Sequence, residues 1–137
     1  MGATEGDGFA VANLDDLGDG PGFRKIRAEL GITAFGINAI VLPPSFATGQ
    51  HYHDEQEETY FVHRGRIEMI FGDGSAHELG PGGVARVDAR TVRSMRNLDD
   101  SADAVVVIVG GKDGYVGRDG RRPGDEGFPS DGPPGAA

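Results

Sequence analysis

The chain of 137 residues contains no cysteine, which excludes both a disulfide framework and a thiolate metal site. Any metal held here must be held by nitrogen and oxygen, and the composition fits a reducing compartment. Long hydrophobic runs are also missing. The longest, residues 104–109, falls far short of the roughly 20 residues that a membrane-spanning helix needs, and no basic-plus-apolar segment opens the chain. A soluble, cytoplasmic protein with no membrane partner is expected. Positive charge is scarce, with 13 Lys and Arg against 22 Asp and Glu and a net charge of -9, which argues against a nucleic-acid partner. There is no phosphate-cradling loop of the P-loop kind, no G-x-S-x-G elbow and no dinucleotide fingerprint.

The acidity is unevenly spread. Residues 1–22 carry five acids and no base, whereas residues 23–111 carry twelve acids and nine bases. The first segment reads as a flexible acidic N-terminal arm, with residues 9–17 as its one candidate docking segment. Residues 112–137 hold seven glycines and four prolines and read as a mostly disordered C-terminal tail, because such a composition buries too little apolar surface to offset its ordering entropy. Tyr115 and Val116 are candidates to pack on the body, with disorder expected beyond about Arg118. The domain itself is then 23–111.

Within it, short β-rich runs alternate with Gly, Pro and Asp turns. Residues 33–42 form the first strand, halted by Pro43 and Pro44. Strands 59–64 and 66–71 follow, hinged at Gly65, and then 75–79, 84–87, 92–97 and 104–110. Residues 23–31 read either as a helical turn or two capped by Gly31 or as a strand through Phe23 and Ile26. An all-β, single-domain antiparallel sandwich or barrel is expected, with no helix longer than about two turns.

One stretch concentrates the chemistry. Residues 51–65, HYHDEQEETYFVHRG, hold three of the four histidines, and the two-residue spacing of His51 and His53 places both imidazoles on one face of a strand. That is a metal-ligand arrangement, to which Glu57 or Glu58 can add a carboxylate. His63 lies an odd number of residues from Glu58 and faces the other way; His77 sits in a hairpin and is expected to be solvent exposed. Tyr60 and Val62 share the face of Glu58 and are candidates for pocket lining or core, while Met69 and Phe71 are core.

The pattern His51, His53, Glu58 and Gly65, with four and six residues in the last two gaps, resembles the first motif of the cupin family, with Ser45 where that motif opens on glycine. The spacing aligns Glu58 rather than Glu57. The second motif survives only in Asn97: Asp88, Arg90 and Arg93 stand where the family has proline, glycine and histidine. The resemblance covers roughly residues 33–110 and implies an antiparallel β jelly roll, a double-stranded β-helix or cupin barrel with flexible termini, with its ligand site inside. It further implies a divalent metal, iron, manganese, zinc or nickel, on His51, His53 and Glu58, and a homodimer.

Arg93 leaves three readings open, since a guanidinium cannot ligate a metal and stays charged. In one, the metal is held by the two histidines and the carboxylate, a set typical of non-haem iron. In the second, Arg93 pairs with Glu58 and the protein is a metal-free, non-catalytic binding or sensing module. In the third, the metal is present and Arg93 clamps the anionic group of a small organic substrate, with Tyr60 beside it. An oxygenase or isomerase is the enzyme that the resemblance implies.

Overall fold

The computed structural model describes residues 2–129, with side chains through residue 124. Thirteen short strands follow one another in the chain: β1 (Thr4–Gly6), β2 (Phe9–Val11), β3 (Gly22–Arg24), β4 (Gly36–Leu42), β5 (Tyr52–His53), β6 (Glu57–Arg64), β7 (Ile67–Phe71), β8 (Ala76–Leu79), β9 (Val84–Val87), β10 (Arg93–Asn97), β11 (Ala104–Gly111), β12 (Gly120–Arg122) and β13 (Asp125–Pro129). All pairings are antiparallel. The main sheet has the order β3-β4-β11-β6-β9 and is joined by two three-stranded sheets, β10-β7-β8 and β13-β12-β5. This is the all-β jelly roll expected from the sequence. The segment at 23–31 resolves into both alternatives: β3 is followed by the single-turn helix α1 (Ile26–Leu30), which ends on Gly31 in the left-handed conformation at φ 71°.

Alternation decides which side chains enter the core. Along β6 the odd positions are exposed, and Glu58, Tyr60 and Val62 are buried. Tyr60 and Val62 meet Ile40 and Leu42 of β4 and Val106 of β11 from their own sheet, and Ile67, Met69 and Met95 from the opposite sheet, in one cluster. Removing a side chain such as Leu42, which has no exposed surface, from water contributes about 1.5–3 kcal/mol. The central strands β4 and β11 are also covered on their outer face, where Ala39, Val41 and Val105 pack under Leu14, Ile26 and Val107. That double burial explains why both strands read as continuous apolar runs rather than alternating ones.

Leu14 is thus the docking point of the N-terminal arm. It belongs to a 3-10 turn at Leu14–Asp16, and Asp15 accepts a hydrogen bond from Arg64 at 2.8 Å. Phe9 and Val11 of the β1-β2 hairpin remain exposed. Among the described residues no helix is long and apolar enough to cross a membrane.

The segment after Gly111, expected to be mostly disordered, instead carries β12, whose Gly120 and Arg121 pair with His53 and Tyr52 of β5. The physical reason is polar rather than hydrophobic: Asp119 is buried and accepts several hydrogen bonds, and Arg121 pairs with Asp54 at 2.9 Å. The expectation for residues 130–137 lies outside the described residues.

Candidate metal and ligand site

The two histidines enter on β5 and the residue before it. His51 exchanges backbone hydrogen bonds with Arg93 at 3.0 and 2.9 Å, which ties the start of the motif to β10. The rings of His51 and His53 meet edge to face with centroids 5.1 Å apart, as the two-residue spacing requires. Glu58 rises beside them from β6, while Glu57 lies on the exposed face. One donor atom from each of His51, His53 and Glu58 lies within 4.8 Å of the others.

Glu58 Oε1 is the most contested atom of this group. Arg93 Nη2 donates to it at 2.7 Å and the Tyr60 hydroxyl donates to it at 2.7 Å. Arg93 Nε reaches the Tyr60 oxygen at 3.3 Å, and Nη1 donates to the carbonyls of Asp88, Ala89 and Thr91 at 3.3, 3.0 and 2.7 Å. The guanidinium has no exposed surface, so a permanent cation is enclosed and stapled to one carboxylate oxygen and three backbone carbonyls. Burial pushes the Glu58 carboxyl up, but His53 and Arg93 outweigh it and hold the group at about 2. Burial also raises Tyr60, whose hydroxyl therefore stays a donor.

His53 is gripped from the other side. Its Nδ1 lies 2.7 Å from Asp119 Oδ1, and Asp119 is fixed in turn by the amides of Glu55 and Gln56 at 2.8 and 3.0 Å and by Gln56 Nε2 at 2.6 Å. A carboxylate at Nδ1 favours a proton there, which in the neutral ring leaves Nε2 as the lone pair. That Nε2 is buried and has no hydrogen-bond partner; it lies 3.3 Å from Glu58 Oε1 in a close electrostatic contact without the alignment of a hydrogen bond. The two imidazoles are tuned in opposite directions. Burial, aided by Arg93, lowers His51 to about 4. At His53 burial works the same way, but Glu58 and Asp119 outweigh it and raise the ring.

His51, His53, Gln56 and Glu58 form one wall of a cavity of about 160 Å³, which is also lined by Tyr60, Met95, Ile108, Arg27 and residues 115–120. A family model described as a cupin domain matches residues 39–110, more than half of the chain. The chain belongs to the cupin family. No curated protein matches this cupin. Among solved structures, a sugar phosphate isomerase of the cupin superfamily from Silicibacter pomeroyi DSS-3 is 26% identical, with a TM-score of 0.60 over 77% of this chain and 60% of the other. A DMSP lyase from Ruegeria pomeroyi DSS-3 is 19% identical, with a TM-score of 0.59 over 69% of this chain and 46% of the other. A cupin protein from Bacteroides fragilis is 21% identical, with a TM-score of 0.58 over 69% and 77%. The last two likenesses are of fold alone. This cupin spans less than two thirds of the length of the first two.

The donor set of this cupin fits a divalent ion. Two imidazole nitrogens and a carboxylate are hard-to-borderline ligands suited to iron, manganese, zinc or nickel. A bound ion would give the buried His53 Nε2 the aligned partner it lacks, and a histidine whose far nitrogen is held by a carboxylate is the usual state of a metal ligand. The misfit is Arg93, which opposes a dication through Glu58. It does not enter the cavity lining, so the expectation that Arg93 clamps a substrate anion is corrected: its donors are spent on Glu58, Tyr60 and carbonyls. Tyr60 does line the cavity, with its hydroxyl committed to Glu58. His63 and His77 are exposed as expected. Asp119, Gln56 and Arg27 were not anticipated; an aspartate among glycines in a polar tail carries no mark that distinguishes it from a solvated one.

Proposed function

We propose that this cupin holds one divalent metal on His51, His53 and Glu58 and binds a small organic molecule in the adjoining cavity. The observation that carries the reading is the buried, unpartnered Nε2 of His53, presented toward Glu58 and His51 by a ring that Asp119 fixes from behind. When bound, the ion supplies a Lewis acid that polarises a carbonyl or hydroxyl oxygen of the ligand. The protein's own part is positional. Asp119 keeps His53 in the ligating tautomer, Tyr60 and Arg93 keep Glu58 ionised and oriented, and burial keeps His51 neutral. Of the two reaction classes expected, isomerisation has the support of the sugar phosphate isomerase likeness. Pairing with a second copy belongs to the same reading, and light scattering tests it: a dimer has twice the 14.3 kDa chain mass.

The 2.7 Å contact of Arg93 with Glu58 favours a second reading, a metal-free small-molecule binding or sensing cupin in which that ion pair fills the metal's place. Metal analysis of protein purified without chelator separates the two. Uptake near one equivalent of iron, manganese, zinc or nickel, abolished by His51→Ala, is expected. Less than about 0.1 equivalent, with none gained on addition, would leave only the metal-free module, since a site whose ligands are already preformed binds without folding cost.

A further inference from the structure

Arg93 is out of the cavity, but the cavity is not without a cation. Arg27, from α1, lines it and is half-buried, and its guanidinium carbon lies 4.0 Å over the centre of the Tyr115 ring, which lines it too. Among the described residues the one hydrogen bond that the Arg27 side chain makes is long, 3.5 Å from Nη1 to the Ile32 carbonyl. The ring holds the guanidinium by a cation–π contact that uses none of its N–H donors, and a guanidinium can give two parallel bonds to a carboxylate or phosphate.

The register places this group relative to the metal ligands. Tyr115 is seated on Gly36, where an added Cβ would come within 3.5 Å of its ring. Gly36 pairs with Gly110, and Gly110 pairs with Glu58. Two strand spacings, about 10 Å, therefore separate the seat of Tyr115 from Glu58. Apolar Ile40 and Ile108 and polar Asn38 and Gln56 also contribute to the lining. The cavity has a ligating end at His51, His53 and Glu58 and a cationic end at Arg27. The carboxylates within it are already engaged, Glu58 by Arg93 and Asp119 by Gln56 and two amides.

We infer that the ligand is a small organic anion whose phosphate or carboxylate is held by Arg27 while an oxygen at its other end faces His51, His53 and Glu58. The inference rests on the cavity being the ligand site proposed above. Arg27 is the specificity residue for the charged end, and Tyr115 aims it.

The test is calorimetric binding to wild type, Arg27→Gln and Arg27→Lys of three probes: ribose 5-phosphate, unphosphorylated ribose and succinate. Zinc uptake is measured in parallel. The expected result is binding of a charged probe and not of ribose, a loss of about ten- to hundredfold in Arg27→Gln, partial recovery in Arg27→Lys, and unchanged zinc uptake. Preference for ribose 5-phosphate or for succinate assigns the anion as phosphate or carboxylate. Equal binding of charged probes by wild type and Arg27→Gln, or no charged probe bound by wild type, overturns the inference. Charged-probe binding that depends on Arg27 in a protein taking up no zinc upholds it and removes the metal alone.

Discussion

At the scale of single residues the site turns on what Arg93 does to Glu58. One guanidinium neutralises the carboxylate that a dication needs, yet it also holds that carboxylate ionised inside the barrel, where an unpaired one would take up a proton. Arg93 stands where the family's second motif has its histidine, so Arg93→His exchanges a cation for a ligand. Metal affinity is expected to rise by at least about tenfold, because a fourth donor is gained and a repulsive charge lost. Stability is expected to fall by about 3 kcal/mol, the scale for breaking a buried pair, as the carbonyls of Asp88, Ala89 and Thr91 lose their donor. Competition against a chelator and a urea midpoint measure both quantities. Lost stability with no gain in affinity would speak for the metal-free reading. The identity of this residue was legible in the sequence, but its direction was not. A four-torsion side chain on an inward position can either reach into a cavity or fold back against its own loop, and three loop carbonyls two to five residues away decide that here.

At the scale of elements, register explains both what could be foreseen and what could not. The exclusion of His63 followed from the period of two along β6, the choice of Glu58 over Glu57 from the spacing of the motif that the sequence resembles, and the buried and exposed positions agree with both. Alternation says nothing about loops or helical turns, which is why Asp119 and Arg27 escaped it. One loop position does carry a readable conflict. Ser45, where the motif opens on glycine, sits at φ 62° with its amide bonded to the Asp99 carbonyl at 2.8 Å. A side chain in that region costs about 1–3 kcal/mol, offset in part by the extra backbone entropy that a glycine loses on folding. Ser45→Gly is therefore expected to stabilise the protein by up to about 1 kcal/mol, read as a higher denaturation midpoint with an unchanged slope. A lower midpoint would mean that the Ser45 side chain contributes something its backbone does not reveal. Gly65, at φ 83° with Ala104 only 2.9 Å from where a Cβ would stand, shows the same demand met by the residue that suits it.

At the scale of the whole molecule, the barrel and its site are built from different parts of the chain. The core strands β4, β6, β7, β10 and β11 all lie before residue 112, and none pairs with β12 or β13. The site is not so confined, because Asp119 reaches back 66 residues to His53 and residues 115–120 wall the cavity. A chain ended after Gly117 keeps Tyr115 and the core but loses Asp119, β12 and the strand partner of β5. It is expected to fold, with its melting temperature lowered by a few degrees, while zinc affinity falls about 10- to 100-fold, the usual cost of removing the group that orients a ligating histidine. Asp119→Asn in the full chain separates the two contributions of the segment. It keeps the wall and removes the charge that fixes the His53 ring, so it should reproduce most of the loss in zinc affinity without weakening the binding of the charged probes. If the shortened chain binds zinc within about twofold of the intact one, the His53 ring is held by its own barrel, and the tail is a wall for the ligand rather than a support for the metal.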